Sequence, residues 1–107
     1  MSWANLILAF ATAFLFTTSD GVKWQFTIPE GWHVIDTPEG LAEGVHVRIA
    51  SCDAMSSANP GPPPGEASIV VSFPAGADPE VHLYNFGKAS AEAARAEVAA
   101  SLARVSP

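Results

Sequence analysis

The sequence predicts an α+β domain, a small antiparallel sheet of four to five strands covered on one face by a C-terminal helix. Three observations carry that expectation. Several short stretches alternate apolar and polar residues at the period of a half-buried strand, and a C-terminal stretch repeats apolar residues at helical spacing. The alternation leaves one face of each strand polar, which favours an antiparallel sheet over a parallel one covered on both sides. A chain of 107 residues holds material for one domain with a modest core.

The first element is a continuous apolar run. Leu6 to Phe16 reads LILAFATAFLF and gives way to Thr17, Thr18, Ser19, Asp20 and Gly21. This is the pattern of a signal-peptide apolar region and its polar exit. At about 1.5 Å per residue the run covers only about half of a bilayer core of roughly 30 Å, so a permanent span is the weaker reading. Residues 1–19 are expected as a signal peptide, and residues 20–107 as the single domain. Small residues suited to a signal peptidase stand at Ala11 and Ala13, or at Thr17 and Ser19. The leading residues hold no Lys or Arg, which departs from the usual pattern. Two other uses of the stretch compete with the leader: a buried first strand or helix of the fold, and a retained anchor from Trp3 to Phe16. The expected location is periplasmic or extracellular.

Val22 to Ile28 alternates, with Val22, Trp24, Phe26 and Ile28 on one face. Pro29, Glu30 and Gly31 break it, and Trp32, Val34 and Ile35 predict a short second strand ending at Asp36. Thr37, Pro38, Glu39 and Gly40 punctuate again. Val45 to Ser51 is a third strand, with His46 and Arg48 on its wet face. Asp53 to Glu66 contains Pro60, Pro62, Pro63 and Pro64, which no ladder tolerates, so a Pro/Gly-rich exposed loop is expected over 53–67. Ser68 to Phe73 reads as a central strand.

Residues 79–87 carry two signals. Asp78, Pro79 and Glu80 look like a helix start, whereas Val81 to Phe86 alternates with His82, Tyr84 and Phe86 on one face. A helical turn leading into a strand or a longer helix is expected. Lys88 to Val105 reads as a helix whose stripe is Ala91, Ala94, Val98, Leu102 and Val105, with Glu92 and Arg104 at the ends that suit the dipole.

Eleven acids against five bases give a formal charge of −6, all of it from Asp20 onward. The bases Lys23, Arg48, Lys88, Arg95 and Arg104 are scattered singly, which argues against a nucleic-acid backbone as partner. Membrane contact is expected only through the N-terminal segment, where it is uncleaved. Cys52 is alone, so no disulfide staples the domain within one chain. His33, His46 and His82 show no metal-ligand spacing, and the glycines between Gly61 and Gly65 are separated by prolines that offer no N–H to a phosphate. No catalytic, metal or cofactor residues are assigned, and no cofactor is expected. Trp24, Phe26 and Trp32 are read as core rather than as a ligand pocket.

The run Phe26, Thr27, Ile28, Pro29, Glu30, Gly31, Trp32 resembles the strand, corner and tryptophan entry of the PsbP/Mog1 superfamily, including exported DcrB-like bacterial proteins. The resemblance implies an α/β/α sandwich on an antiparallel sheet and a non-catalytic accessory role through binding another protein. The expected function is therefore an exported binding or accessory domain with an unidentified protein partner. Its candidate binding surface is Trp32, His33, His46, Arg48 and Tyr84. The alternatives are a small hydrolase-type enzyme using Cys52 or a histidine, and a membrane-tethered protein that keeps its apolar start.

Overall fold

The computed structural model describes residues 12–18, 20–36, 45–56, 59, 61–74 and 78–105. In chain order the elements are β1 (Thr12–Thr17), β2 (Lys23–Ile28), β3 (His33–Asp36), β4 (Val45–Ala50), β5 (Ala67–Phe73), β6 (Glu80–Asn85), α1 (Ala91–Ser101) and β7 (Ala103–Arg104). They form two antiparallel sheets, β1-β2-β7 and β3-β4-β5-β6, with α1 packed on β2, β5 and β6. The α+β class and the helix against strands agree with the sequence. The single sheet of four to five strands does not. The three-stranded sheet takes its outer strands from the apolar start, for which a buried strand is one of the uses competing with a leader, and from the end of the expected helix.

β1 and β2 form a hairpin whose turn is the polar run after the apolar stretch. The Thr18 N–H donates to the Val22 carbonyl and the Gly21 N–H to the Thr18 carbonyl, each at 2.9 Å. Gly21 has φ +86°, the conformation that closes a three-residue hairpin loop and that a side chain resists. The Asp20 carboxylate accepts from the Thr18 hydroxyl and, at 3.2 Å, from the Val22 N–H. Those bonds hold its pKa below the ordinary carboxylate value, the Thr18 hydroxyl being the larger cause. In the intact chain, then, Thr12–Thr17 is a strand of the fold, within the stretch expected as a leader. Residues 1–11 of that stretch lie outside the described residues.

The inner faces meet through aromatic rings. Phe14 stands opposite Phe26 and Phe16 opposite Trp24 in the β1–β2 register. Ring centroids lie 5.5 Å apart for Phe14 and Phe26 and 6.0 Å for Phe16 and Phe26. Phe73 of β5 joins the sheets, 5.4 Å from Phe16 and 5.1 Å from Trp24. Around them Trp32, Val47, Ile49, Ala67, Ile69, Val71, Ala91, Ala94 and Val98 complete the buried cluster. Trp24, Phe26 and Trp32 are thus core residues, as their alternation implies.

The strand after the Pro29 corner begins at His33, with the Trp32 N–H donating to the Pro29 carbonyl at 3.1 Å. β3 is irregular, its register against β4 shifting between Val34 and Asp36. The expected punctuation at 37–40 lies outside the described residues. Residues 80–85 are strand, the first of the two continuations expected there, and Asp78 and Pro79 ahead of it form no helical turn. Val81 and Leu83 reach the core cluster while the backbone pairs with β5, and both gains outweigh the helix-start signals of Asp78 and Pro79.

The helix is shorter than expected. Ala91, Ala94 and Val98 are buried as the stripe requires, but Leu102 turns extended with φ −68° and ψ 121°. Ala103 and Arg104 then pair with Gln25 and Trp24, and the Val105 N–H donates to the Lys23 carbonyl at 2.9 Å. Arg104 is therefore a β7 residue and not a partner of the helix dipole. A further helical turn would forfeit those bonds to β2, which the last helical residue already touches: the Ser101 Oγ accepts from the Thr27 N–H at 2.8 Å. Among the described residues no helix is long and apolar enough to cross a membrane.

Candidate functional site

Strand register places the outward residues of the four-stranded sheet in rows, because directly opposed residues share a face. One row is His33, Ala50, Ser68 and Tyr84; the next is Arg48, Val70 and His82. On the other face of the same strands Val47, Ile49, Ile69 and Val71 fill the core. At one end of the outward face Ala50 and Ser68 are 0% and 3% exposed, so this part of the face is covered.

The Pro-rich segment, which shares the lining of this face through Gly61 and Pro62, is anchored and not merely exposed. Met55 is buried at 2%, and the main chains of Ser56 and Asn59 exchange bonds at 3.0 and 3.1 Å. Glu66 ties the segment's end to three elements. Its Oε1 accepts from the Ser51 hydroxyl at 2.7 Å and faces Lys88 Nζ at 3.7 Å, while its carbonyl accepts from the Phe86 N–H at 2.8 Å. The Ser51 oxygen in turn accepts from the Ala67 N–H at 2.9 Å, where β5 begins. Gly65 and Gly87 meet backbone to backbone. A Cβ on Gly87, whose φ is +120°, would stand 3.3 Å from Gly65.

Between this segment and β6 an open groove of about 370 Å³ runs across the sheet. Arg48, Ser68, Val70, Ser72, Tyr84 and Phe86 line it, and Gly61 and Pro62 form its loop wall. Tyr84 and Phe86 are 52% and 56% exposed, large aromatic surfaces left in water. Beside the groove His82 Nε2 lies 3.1 Å from Glu80 Oε1.

The structure brings two of the five expected surface residues, Arg48 and Tyr84, into this groove. Trp32 and His33 line a different cleft of about 370 Å³ at the Pro29 corner, shared with Phe14, Ile28, Pro29 and Val34. Trp32 is buried, and the His33 ring nitrogen stands 4.0 Å from the Asp53 carboxylate. The backbone of His46 lies opposite Ser72, but its side chain falls outside the described residues. Phe86, Ser68, Val70 and Ser72 were missed as site residues. Their signal was present in the period-two pattern, which puts Phe86 on the face of Tyr84 and the two serines opposite Ile69 and Val71.

Chemically, the groove offers aromatic faces, hydroxyls and one guanidinium, groups suited to recognition by packing and hydrogen bonding. Cys52 is half-buried with a free thiol. Among the described residues no three His, Cys, Asp or Glu side chains gather to hold a metal ion. No family model, curated protein or solved structure matches the chain.

Proposed function

We propose that this chain is a non-catalytic binding domain acting through protein–protein contact, and that the groove between the Pro-rich segment and β6 is its contact surface. The observation that carries this reading is the exposed pair Tyr84 and Phe86 beside Arg48 on a hydrogen-bonded sheet. Aromatic and arginine side chains dominate the anchors of protein interfaces, the rings because they bury large area at small entropic cost and arginine because its planar fork makes several hydrogen bonds at once. A rigid ladder beneath them lowers the cost further. The formal charge of −6 favours a neutral or basic partner by speeding encounter. The resemblance of the Phe26–Trp32 corner to PsbP/Mog1 proteins implies the same accessory role.

The compartment proposed with it is the periplasm or the cell exterior, supported by the apolar start and its polar exit. Since β1 draws on that start, the exported form proposed keeps Thr12 onward. Intact mass of the protein from fractionated cells checks this. A product starting at Asp20 would contradict it.

A photo-crosslinking amino acid at Ser72 tests the surface, with the same group at Glu97, an exposed position of α1, as control. The Ser72 position should capture a defined protein and Glu97 should not. Tyr84→Ala combined with Phe86→Ala should lower capture at least about tenfold. Alanine at Cys52, His33, His46 and His82 in turn should leave capture intact in at least three of the four. Capture that survives loss of both aromatics but fails with Cys52→Ala would overturn the reading in favour of chemistry at the thiol.

A further inference from the structure

From the outer edge of the three-stranded sheet we infer that the chain pairs with a second copy of itself through β1. Hydrogen-bond parity identifies which main-chain groups face outward. Lys23 bonds towards β7, since its carbonyl accepts from the Val105 N–H, so Trp24, Phe26 and Ile28 bond towards β1. Their register partners are Phe16, Phe14 and Thr12. Ala13, Leu15 and Thr17 therefore direct their N–H and C=O groups away from β2, and among the described residues no strand lies beyond them. The same alternation leaves Leu15 59% exposed.

The other edges carry the features that discourage pairing. β3 has a register shift, β7 is two residues long, and β6 carries Glu80 and His82 and packs against α1. β1, with the sequence TAFLFT, has no charge, proline or glycine, and its register to β2 is unbroken. Charge is compatible with a second copy as the occupant. On a molecule of −6, two copies meeting through β1 oppose neutral residues to neutral residues, because no acid or base precedes Asp20.

A two-fold axis at Leu15 uses every outward group of the strand. It pairs Leu15 with Leu15 of the second copy and Ala13 with its Thr17, all in hydrogen-bonded positions. Between them Phe14 stands opposite Phe16 of the second copy on the core face, which extends the aromatic cluster across the joint. The result is one six-stranded sheet in which Leu15 lies against its counterpart. A slip of one residue would put the outward groups out of phase and is excluded.

The test uses the full chain and is independent of the groove reading. Sedimentation over a dilution series should give a dimer in equilibrium with monomer. Leu15→Pro removes one outward N–H without touching the β1–β2 ladder, and Leu15→Lys adds a charge at the axis. Each should weaken self-association at least about tenfold while leaving the circular dichroism unchanged. Against the possibility that these variants misfold, two cysteine variants in a Cys52→Ala background read the register. Residues in a hydrogen-bonded pair have Cα atoms about 5.5 Å apart, inside the range of about 4.4–6.8 Å that a disulfide bridges. Under mild oxidation Leu15→Cys should form a covalent dimer, and Thr17→Cys, set roughly 14 Å from its counterpart at about 3.4 Å per residue, should not. A wild-type chain that stays monomeric throughout, or Thr17→Cys crosslinking as fast as Leu15→Cys, would overturn the proposal.

Discussion

Phe26 is a fully buried ring of the core, 1% exposed and within 6.0 Å of both Phe14 and Phe16. Phe26→Ala removes a fully buried ring from between two sheets, and a loss of about 3–5 kcal/mol is expected in chemical denaturation. Asp20 acts at the turn that brings β1 back onto β2. Its folded pKa is lowered, so its contribution is present above the ordinary carboxylate value and fades as pH falls through the folded value. Asp20→Asn should therefore be less stable than wild type near neutrality. The gap should narrow in acid, as read from melts across a pH series, and a gap that widens in acid would contradict the assignment. Tyr84 behaves oppositely to Phe26: half in water, its change to Ala should move stability by no more than about 0.5 kcal/mol while weakening partner capture.

At the scale of elements, the sequence was legible where one face is wet and one dry. β2, β4 and β5 alternate, and their observed bounds fall within a residue of the expected ones. β1 was harder because Phe14, Leu15 and Phe16 are apolar in succession, and a run without alternation carries no period to separate a strand from a signal peptide. The polar residues from Thr17 to Gly21 serve equally as the exit of a leader and as a hairpin turn. β6 was ambiguous for a different reason: Asp78, Pro79 and Glu80 are helix-start residues, and only tertiary pairing with β5 settles the competition. The groove was half legible. Tyr84 and Arg48 could be taken from their wet-face positions, whereas its loop wall could not, since nothing local shows that Pro62 folds back over the sheet. Gly87 belongs to that long-range arrangement. With φ +120° and Gly65 against it, Gly87→Ala should cost roughly 1–3 kcal/mol and loosen the wall of the groove, measurable by denaturation and by capture from Ser72.

For the whole molecule, two small sheets hold together because Phe73 reaches from one to the other and α1 packs on both. Without a disulfide, the domain depends on that packing throughout, and β1 supplies two of its rings and the hydrogen-bonding partner of β2. The edge proposed for self-pairing belongs to the same six residues, so retention of the apolar start governs both the fold and the assembly.

The measurement that bears most directly on this account is urea unfolding of the intact chain beside a chain beginning at Asp20. The account predicts a cooperative transition for the intact chain and loss of that transition, or a shift to much lower urea, for the shortened one. Equal midpoints and equal slopes would contradict it, and would mean that Phe14 and Phe16 contribute nothing to the folded interior.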